Sequence, residues 1–479
     1  MWKFWEIELP HFQTLLRSGK LDDKMDELYN QFWGLPHSHQ YELIAYSKEK
    51  SVFPSVETFR EVFKVSKESV KEFFRAEYRT FRFPVVSSEG KGELVNALVI
   101  KNLKEVITNL KEIKRHLNPI REFLKGGFAV FFDREFAGAS FQLATVLNLY
   151  VENLPEDALF TGAIDKKGNI KSVNGIEEKK RLTKELGLRL VEPYHFNTVD
   201  EIKQLLDAES YQIPIYITKT QDRWEGEFKS FLKATGISED YLKKLEVLIG
   251  LETKPIITGQ LNQEAWEHVL REFWKKFKET ERKLHSKERW HIAINGPSVL
   301  AFALGVLFGS QKPFVFYHYQ NNAYHPIFVD NVRELKERKE NLEKIEYRFE
   351  KGGENLVVML SFAHHEMEGD VKNYISKELE NPSYLILRAK GGGNIQVEDM
   401  KEVAKESASV IQNLRKENTF ENFHFFISTP VPIAFMVGLS FGHYGEGYLY
   451  NYSGGTYEPV VSFSFLKALR EGKYEKAYL

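Results

Sequence analysis

The chain has 479 residues, of which 42% are hydrophobic and 14% aromatic, enough apolar material for about three globular cores and too much for wholesale disorder. Its 66 basic and 68 acidic residues leave a formal charge of −2, which argues against a duplex-DNA binder, whose phosphate contacts need a basic excess, but leaves room for a local anion pocket. The absence of cysteine excludes disulfides, thiolate-bound metals, iron–sulfur clusters and a thiol nucleophile, and fits a cytoplasmic setting.

In chain order, residues 1–84 read as a helical region rich in Trp, Phe and Leu, with helix starts expected at Ser55 and Ser66, each followed by a carboxylate in the first turn. Met1–Leu9 lacks the apolar core of a signal peptide. No apolar run reaches the roughly 18–20 residues of a membrane span. From residue 85 the pattern becomes α/β. A strand is expected at Leu94–Ile100, an amphipathic helix over 102–124, a buried strand at Phe128–Phe132, a helix over 137–150, a strand at Ala158–Ile164 and a helix at Gly175–Gly187. Residues 85–220 form one expected domain, 221–288 a charged helical connector, and 289–479 the last domain. The expected class is α/β multidomain.

The last domain repeats itself 133 positions apart: His291, Ile294 and Pro297 match His424, Ile427 and Pro430. Ala301, Phe302, Gly305 and Gly309 match Ala434, Phe435, Gly438 and Gly442, and Tyr317, Tyr319, Tyr324 and Pro326 match Tyr450, Tyr452, Tyr457 and Pro459. This is an internal duplication. Each copy reads as strand, Pro-containing turn, helix and aromatic strand, the half-unit of a Rossmann-like layer. The turns Asn295-Gly296-Pro297-Ser298 and Ser428-Thr429-Pro430-Val431 are candidate phosphate seats, because a helix N-terminus offers free N–H groups and the positive end of a dipole. Lys390 would add charge, and Gly391-Gly392 would let phosphate approach the backbone. His364-His365-Glu366 has no third ligand pattern, so no metal is expected. The tyrosines between 444 and 457 are candidates for base stacking as well as strand packing.

Two motifs carry chemistry. Thr161-Gly162-Ala163-Ile164, a Gly turn at Gly168 and then Lys179 stand eighteen residues apart end to end, downstream of Gly138-Ala139-Ser140 and upstream of Leu190–Pro193. Over residues 86–220 this resembles the proteolytic domain of Lon-family proteases, with TGEI become TGAI and the small residue after the serine become Phe141. The resemblance implies Ser140 as nucleophile, Lys179 as general base and Thr161 as the group that orients the amine. A lysine can serve as base where burial lowers its pKa. Lys180 and Lys171 are rivals by proximity, but Lys180 lies about 100° further round the helix. No G-x-x-x-x-G-K-[ST] occurs, so no ATP-driven unfoldase is expected.

The two strand–turn–helix copies, with Leu356–Phe362 (ending in Ser361 and Phe362) and Leu385–Gly391, resemble a SAVED domain, a fusion of two CARF-like Rossmann units. A Lon-like domain joined to SAVED resembles the CRISPR-associated Lon–SAVED proteases of type III antiviral systems. That resemblance implies activation by cyclic tetra-adenylate, with cyclic tri-adenylate as the alternative, and self-association through SAVED. It also implies cleavage of a toxin-like partner holding a sigma-like factor, without a cofactor. The competing expectation is an inactive nucleotide-sensing scaffold whose Lon-like domain only binds a partner.

Overall fold

A computed structural model describes residues 3–309, 312–363, 366–392 and 394–473. It divides into two compact units, residues 1–208 with 243–250, and residues 209–242 with 251–479.

The first unit opens with helices, among them Leu9–Arg17, His37–Lys50, Val56–Phe63 and Lys67–Arg75. The hydroxyls of Ser55 and Ser66 accept hydrogen bonds from the N–H groups of Thr58 and Ser69, so both expected starts are real N-caps, each worth about 1 kcal/mol. The helices do not form a domain of their own. Their aromatic core of Phe12, Phe32, Phe59 and Phe73 is continuous with Leu98, Ile100, Ala129 and Phe131 of the following sheet. That sheet contains β1 (Tyr78–Val86), β2 (Gly92–Leu103), β3 (Ile107–Thr108) and β4 (Gly127–Phe132) in the order β1-β2-β4-β3.

The helix expected over 102–124 is present only as Asn118–Leu124. Leu103, Ile107, Leu110, Ile113 and Leu117 have helical spacing and are all buried, but the chain that carries them folds back along β4. There the amide of Asn109 pairs with both the N–H and the C=O of Phe132. A side-chain amide that mimics backbone outcompetes the helix. The single strand expected at Ala158–Ile164 is broken into β5 (Ala158–Phe160) and β6 (Ala163–Ile164). β6 pairs with β7 (Ile170–Lys171), and β5 lies parallel to β8 (Arg189–Val191).

The second unit starts earlier than residue 289. β9 (Tyr211–Thr218), expected in the preceding domain, pairs in parallel with β11 (Glu288–Asn295), and β10 (Ile256–Ile257) flanks β9. With β12 (Phe314–Gln320) and β13 (Ala323–Val329) they make a five-stranded sheet in the order β10-β9-β11-β12-β13. The second sheet runs β14 (Ile345–Glu350), β16 (Ser383–Ala389), β15 (Asn355–Ser361), β17 (Asn422–Ser428), β18 (Gly447–Ser453) and β19 (Thr456–Ser462). Thr218 stands opposite Asn295 as Ser361 stands opposite Ser428, so the duplication includes β9. Apart from residues 243–250, the expected connector is part of this unit as well. In helix Gln263–Leu284, Phe277 stacks on Trp290 with ring centroids 4.9 Å apart.

Helices Ser298–Phe308 and Val431–Phe441 pack against each other across the pseudo-dyad. A Cβ added at Gly305 would collide with the carbonyl of Phe435, and one at Gly438 with the carbonyl of Phe302. The matched Gly and Phe positions are thus mutual contacts, and glycine is there to let two backbones touch.

Candidate functional sites

In the first unit, Gly175 (φ +71°) starts helix Ile176–Glu185, which carries Lys179. Lys179 is 2% exposed, and its Nζ donates a 2.9 Å hydrogen bond to Thr161 Oγ1. Burial pushes its pKa down to about 8, because a low-dielectric surrounding disfavours the charged form. Its rivals are different. Lys180 pairs with Glu177 and Glu192, and its hydrogen bond to Glu177 holds its pKa above the usual value. Lys171 is exposed and paired with Asp165.

Thr161 takes its place because β5 ends at Phe160 and its N–H then donates to Val191. The next residue ties this point to the serine. Gly162 N–H donates to Ser140 O, and Leu143 N–H donates to Gly162 O, both at 3.0 Å. Ser140 is 9% exposed and lies in a turn after Gly138 (φ +87°), two residues ahead of helix Gln142–Tyr150. The N–H groups of Gln142 and Leu143 are engaged by Ala139 and Gly162, so they are not the oxyanion donors that a serine at the helix start would suggest. Phe141 is fully buried in a cluster with Phe83, Phe132 and Phe136. It therefore packs into the core. Gln142 was not singled out by the sequence. Its side chain donates to His116 O at 2.6 Å and accepts from Ile164 N–H at 2.8 Å, bracing the serine turn against β6.

In the second unit, a cleft of about 980 Å³ opens at the carboxyl ends of β9, β11 and β12. Of the expected ligand residues, Asn295, Gly296 and Val431 line it. Pro297 and Pro430 are N-caps of the two packed helices. Ser298 is committed elsewhere, its Oγ donating to Thr429 O at 2.5 Å, which joins the two turns. Ser361 pairs with Ser428, whose carbonyl accepts from Phe362 and Ala363. The structure does not bring Lys390 to the cleft. Its amine donates to Leu342 O and its N–H to Lys344 O, and Gly391 and Gly392 form the left-handed turn that follows. His364, His365 and Gly393 lie outside the described residues.

The sequence reading missed Glu227, Arg223 and Trp224 of the cleft wall, because β9 and the helix after it were assigned outside this domain. The signal that would have found them is the polar residue closing the strand, Thr218, matching Ser361. In each half a buried histidine bonds a tyrosine: His291 Nδ1 to Tyr317 and His424 Nδ1 to Tyr450, both at 2.9 Å. Burial lowers the pKa of both imidazoles to about 4, so they are neutral framework. Among the described residues no group of three or more His, Asp or Glu could hold a metal, and no helix is long and apolar enough to cross a membrane.

Two Rossmann-like sheets related by duplication, the first with a cleft at the carboxyl ends of its strands, define a ligand-binding type of domain. Residues 271–463 match the family model of SAVED, the SMODS-associated and fused to various effectors sensor domain, and this part of the chain is a SAVED domain. The chain is similar to the Acinetobacter baumannii Cap4 SAVED/CARF-domain containing receptor with the cyclic trinucleotide 2′3′3′-cAAA, at 15% identity and TM-score 0.38, over 55% of this chain and 54% of that one. The same receptor with 3′3′3′-cAAA aligns at 14% identity and TM-score 0.37, over 60% and 66%. The Moraxella osloensis Cap4 SAVED/CARF-domain containing receptor aligns at 12% identity and TM-score 0.36, over 80% and 94%. No curated protein matches the chain.

Proposed function

We propose that the chain is a cyclic-oligonucleotide-gated, ATP-independent Ser-Lys protease. The observation that carries this reading is the buried Lys179 amine, with its pKa near 8, held on Thr161. The adjacent Gly162 is tied to the Ser140 turn. Ser140 Oγ attacks a peptide carbonyl as Lys179 takes its proton, giving a tetrahedral oxyanion. Lys179 then returns the proton to the departing amine and leaves an ester on Ser140, and water, activated by the same amine, releases the carboxylate. Thr161 holds the amine in line.

The SAVED domain is the gate. Its ligand is a cyclic oligoadenylate, the tetramer in the first place and the trimer as alternative. Ligand-driven contact between unlike SAVED faces is heterologous and grows into longer species. The substrate is a specific partner protein, a toxin-like binder of a sigma-like factor, a reading supported by the lack of a G-x-x-x-x-G-K-[ST] motif in these residues. A fluorophosphonate probe tests the catalytic half. Label on Ser140 in the wild type, none in Ser140→Ala and little in Lys179→Ala is expected. No label on Ser140 in the wild type would favour the scaffold reading, and equal labelling of Lys179→Ala would remove Lys179 as the base.

A further inference from the structure

The cleft wall carries a carboxylate where a phosphate seat was expected. Glu227 Oε2 accepts from Tyr216 OH at 3.0 Å, from Asn295 Nδ2 at 3.1 Å and more weakly from Thr218 Oγ1 at 3.4 Å. Tyr324 OH in turn donates to Tyr216 OH at 3.2 Å, so the carboxylate is held by a relay that starts on β13. Oε1 has no partner among the described residues. An ionised carboxylate only accepts hydrogen bonds, and one in this place repels phosphate and rewards a donor.

Flat surfaces stand beside it. Tyr319 and Tyr324 also line the cleft, their ring centroids 5.0 Å apart, and Tyr319 is 55% exposed. The matched pair Tyr452 and Tyr457 repeats the same 5.0 Å spacing, but the donors around Glu227 are repeated only in part, Thr218 being matched by Ser361. At the strand positions that match Tyr216 and Asn295, the second half has Met359 and Ser428. The second half also sets a carboxylate, Asp370, near Tyr457, as Glu227 lies near Tyr324; what is particular to the first half is the pair Tyr216 and Asn295 that holds Glu227 and leaves Oε1 for a ligand.

We propose that Glu227 reads one base of the ring, accepting a hydrogen bond from its exocyclic amine while the base stacks on Tyr319. This rests on the cyclic-oligonucleotide reading above. A site built to bond a donor rejects the analogue that lacks it, because its own polar group is left unpaired. Calorimetry on the full chain should compare cyclic tetra-adenylate with the ring made of purine ribonucleotides, which lacks only the 6-amino groups. The wild type is expected to favour the adenylate ring at least tenfold. In Glu227→Gln the side chain turns a donor towards the amine, and the ratio should fall to near one. Tyr216→Phe, which removes one holding bond, should reduce the ratio partway and carries the test if the first variant melts early. An undiminished ratio in both variants overturns the proposal. Equal weakening of both ligands would place the carboxylate on ribose hydroxyls and overturns it too. Binding of neither ring by the wild type would refute the ligand reading itself and this proposal with it.

Discussion

The amine of Lys179 donates to the hydroxyl of Thr161 at 2.9 Å, from a helix to the end of a strand eighteen residues earlier. This bond distinguishes Lys179 from the neighbouring lysines, whose amines are neutralised by carboxylates.

Cleavage should follow the free amine. With a pKa near 8, the base form is scarce at pH 6 and dominant at pH 9, so kcat/KM is expected to rise through an apparent pKa of about 8 and then level. Thr161→Val removes an acceptor that the protonated amine uses best. The rate should drop by about 10²-fold or more from misplacement, and the apparent pKa should move down. A pH–rate profile for both proteins checks this.

The buried lysine also costs stability. Its folded pKa lies below the ordinary 10.5, so the unfolded chain binds more protons between about 8 and 10.5, and stability rises with pH in that window. Below it the penalty is complete. Lys179→Met should therefore be inactive yet more stable at pH 7, by roughly 1–3 kcal/mol, read as a higher denaturant midpoint. A destabilised variant would mean that the amine is better solvated than its burial implies.

The duplicated glycines make a symmetric prediction. Gly305→Leu and Gly438→Leu each force a side chain into the carbonyl of a matched Phe, and overpacking of this kind costs about 1–3 kcal/mol or more. Both should lower the melting temperature and weaken nucleotide binding, to similar extents. Leu at Gly90, where an added Cβ meets nothing within 4 Å, is the control for a generic glycine effect, although its φ of +74° adds local strain.

Lys390→Glu should leave nucleotide affinity within about threefold, because the Lys390 amine serves Leu342 and a surface charge is screened over roughly 8–10 Å. A tenfold loss would restore Lys390 to the binding site.

Much of this was legible in the residues. The Ser55 and Ser66 caps, the strand at Phe128–Phe132, the lysine helix and the 133-residue repeat all rest on local pattern or on identity between copies. What was hidden is non-local. Asn109 replaces helix by pairing with Phe132, a contact between segments with no shared period. β9 alternates like any strand, and only its pairing with β11 moves it into the sensor sheet and brings Glu227 with it. Phe141 stands where the Lon-like pattern has a small residue, and only the side chains of Phe83 and Phe136 show that it belongs to the core.

The most direct test of the account incubates the full chain and its candidate partner proteins with cyclic tetra-adenylate or cyclic tri-adenylate, and reads the products by gel and mass spectrometry. Light scattering in parallel follows assembly. Defined fragments are expected from the wild type only when the ligand is present. None should appear from Ser140→Ala or Lys179→Ala, both of which should still bind nucleotide and assemble. Fragments from Lys179→Ala at the wild-type rate would contradict the account, as would intact partners in the presence of a ligand-bound, assembled wild type.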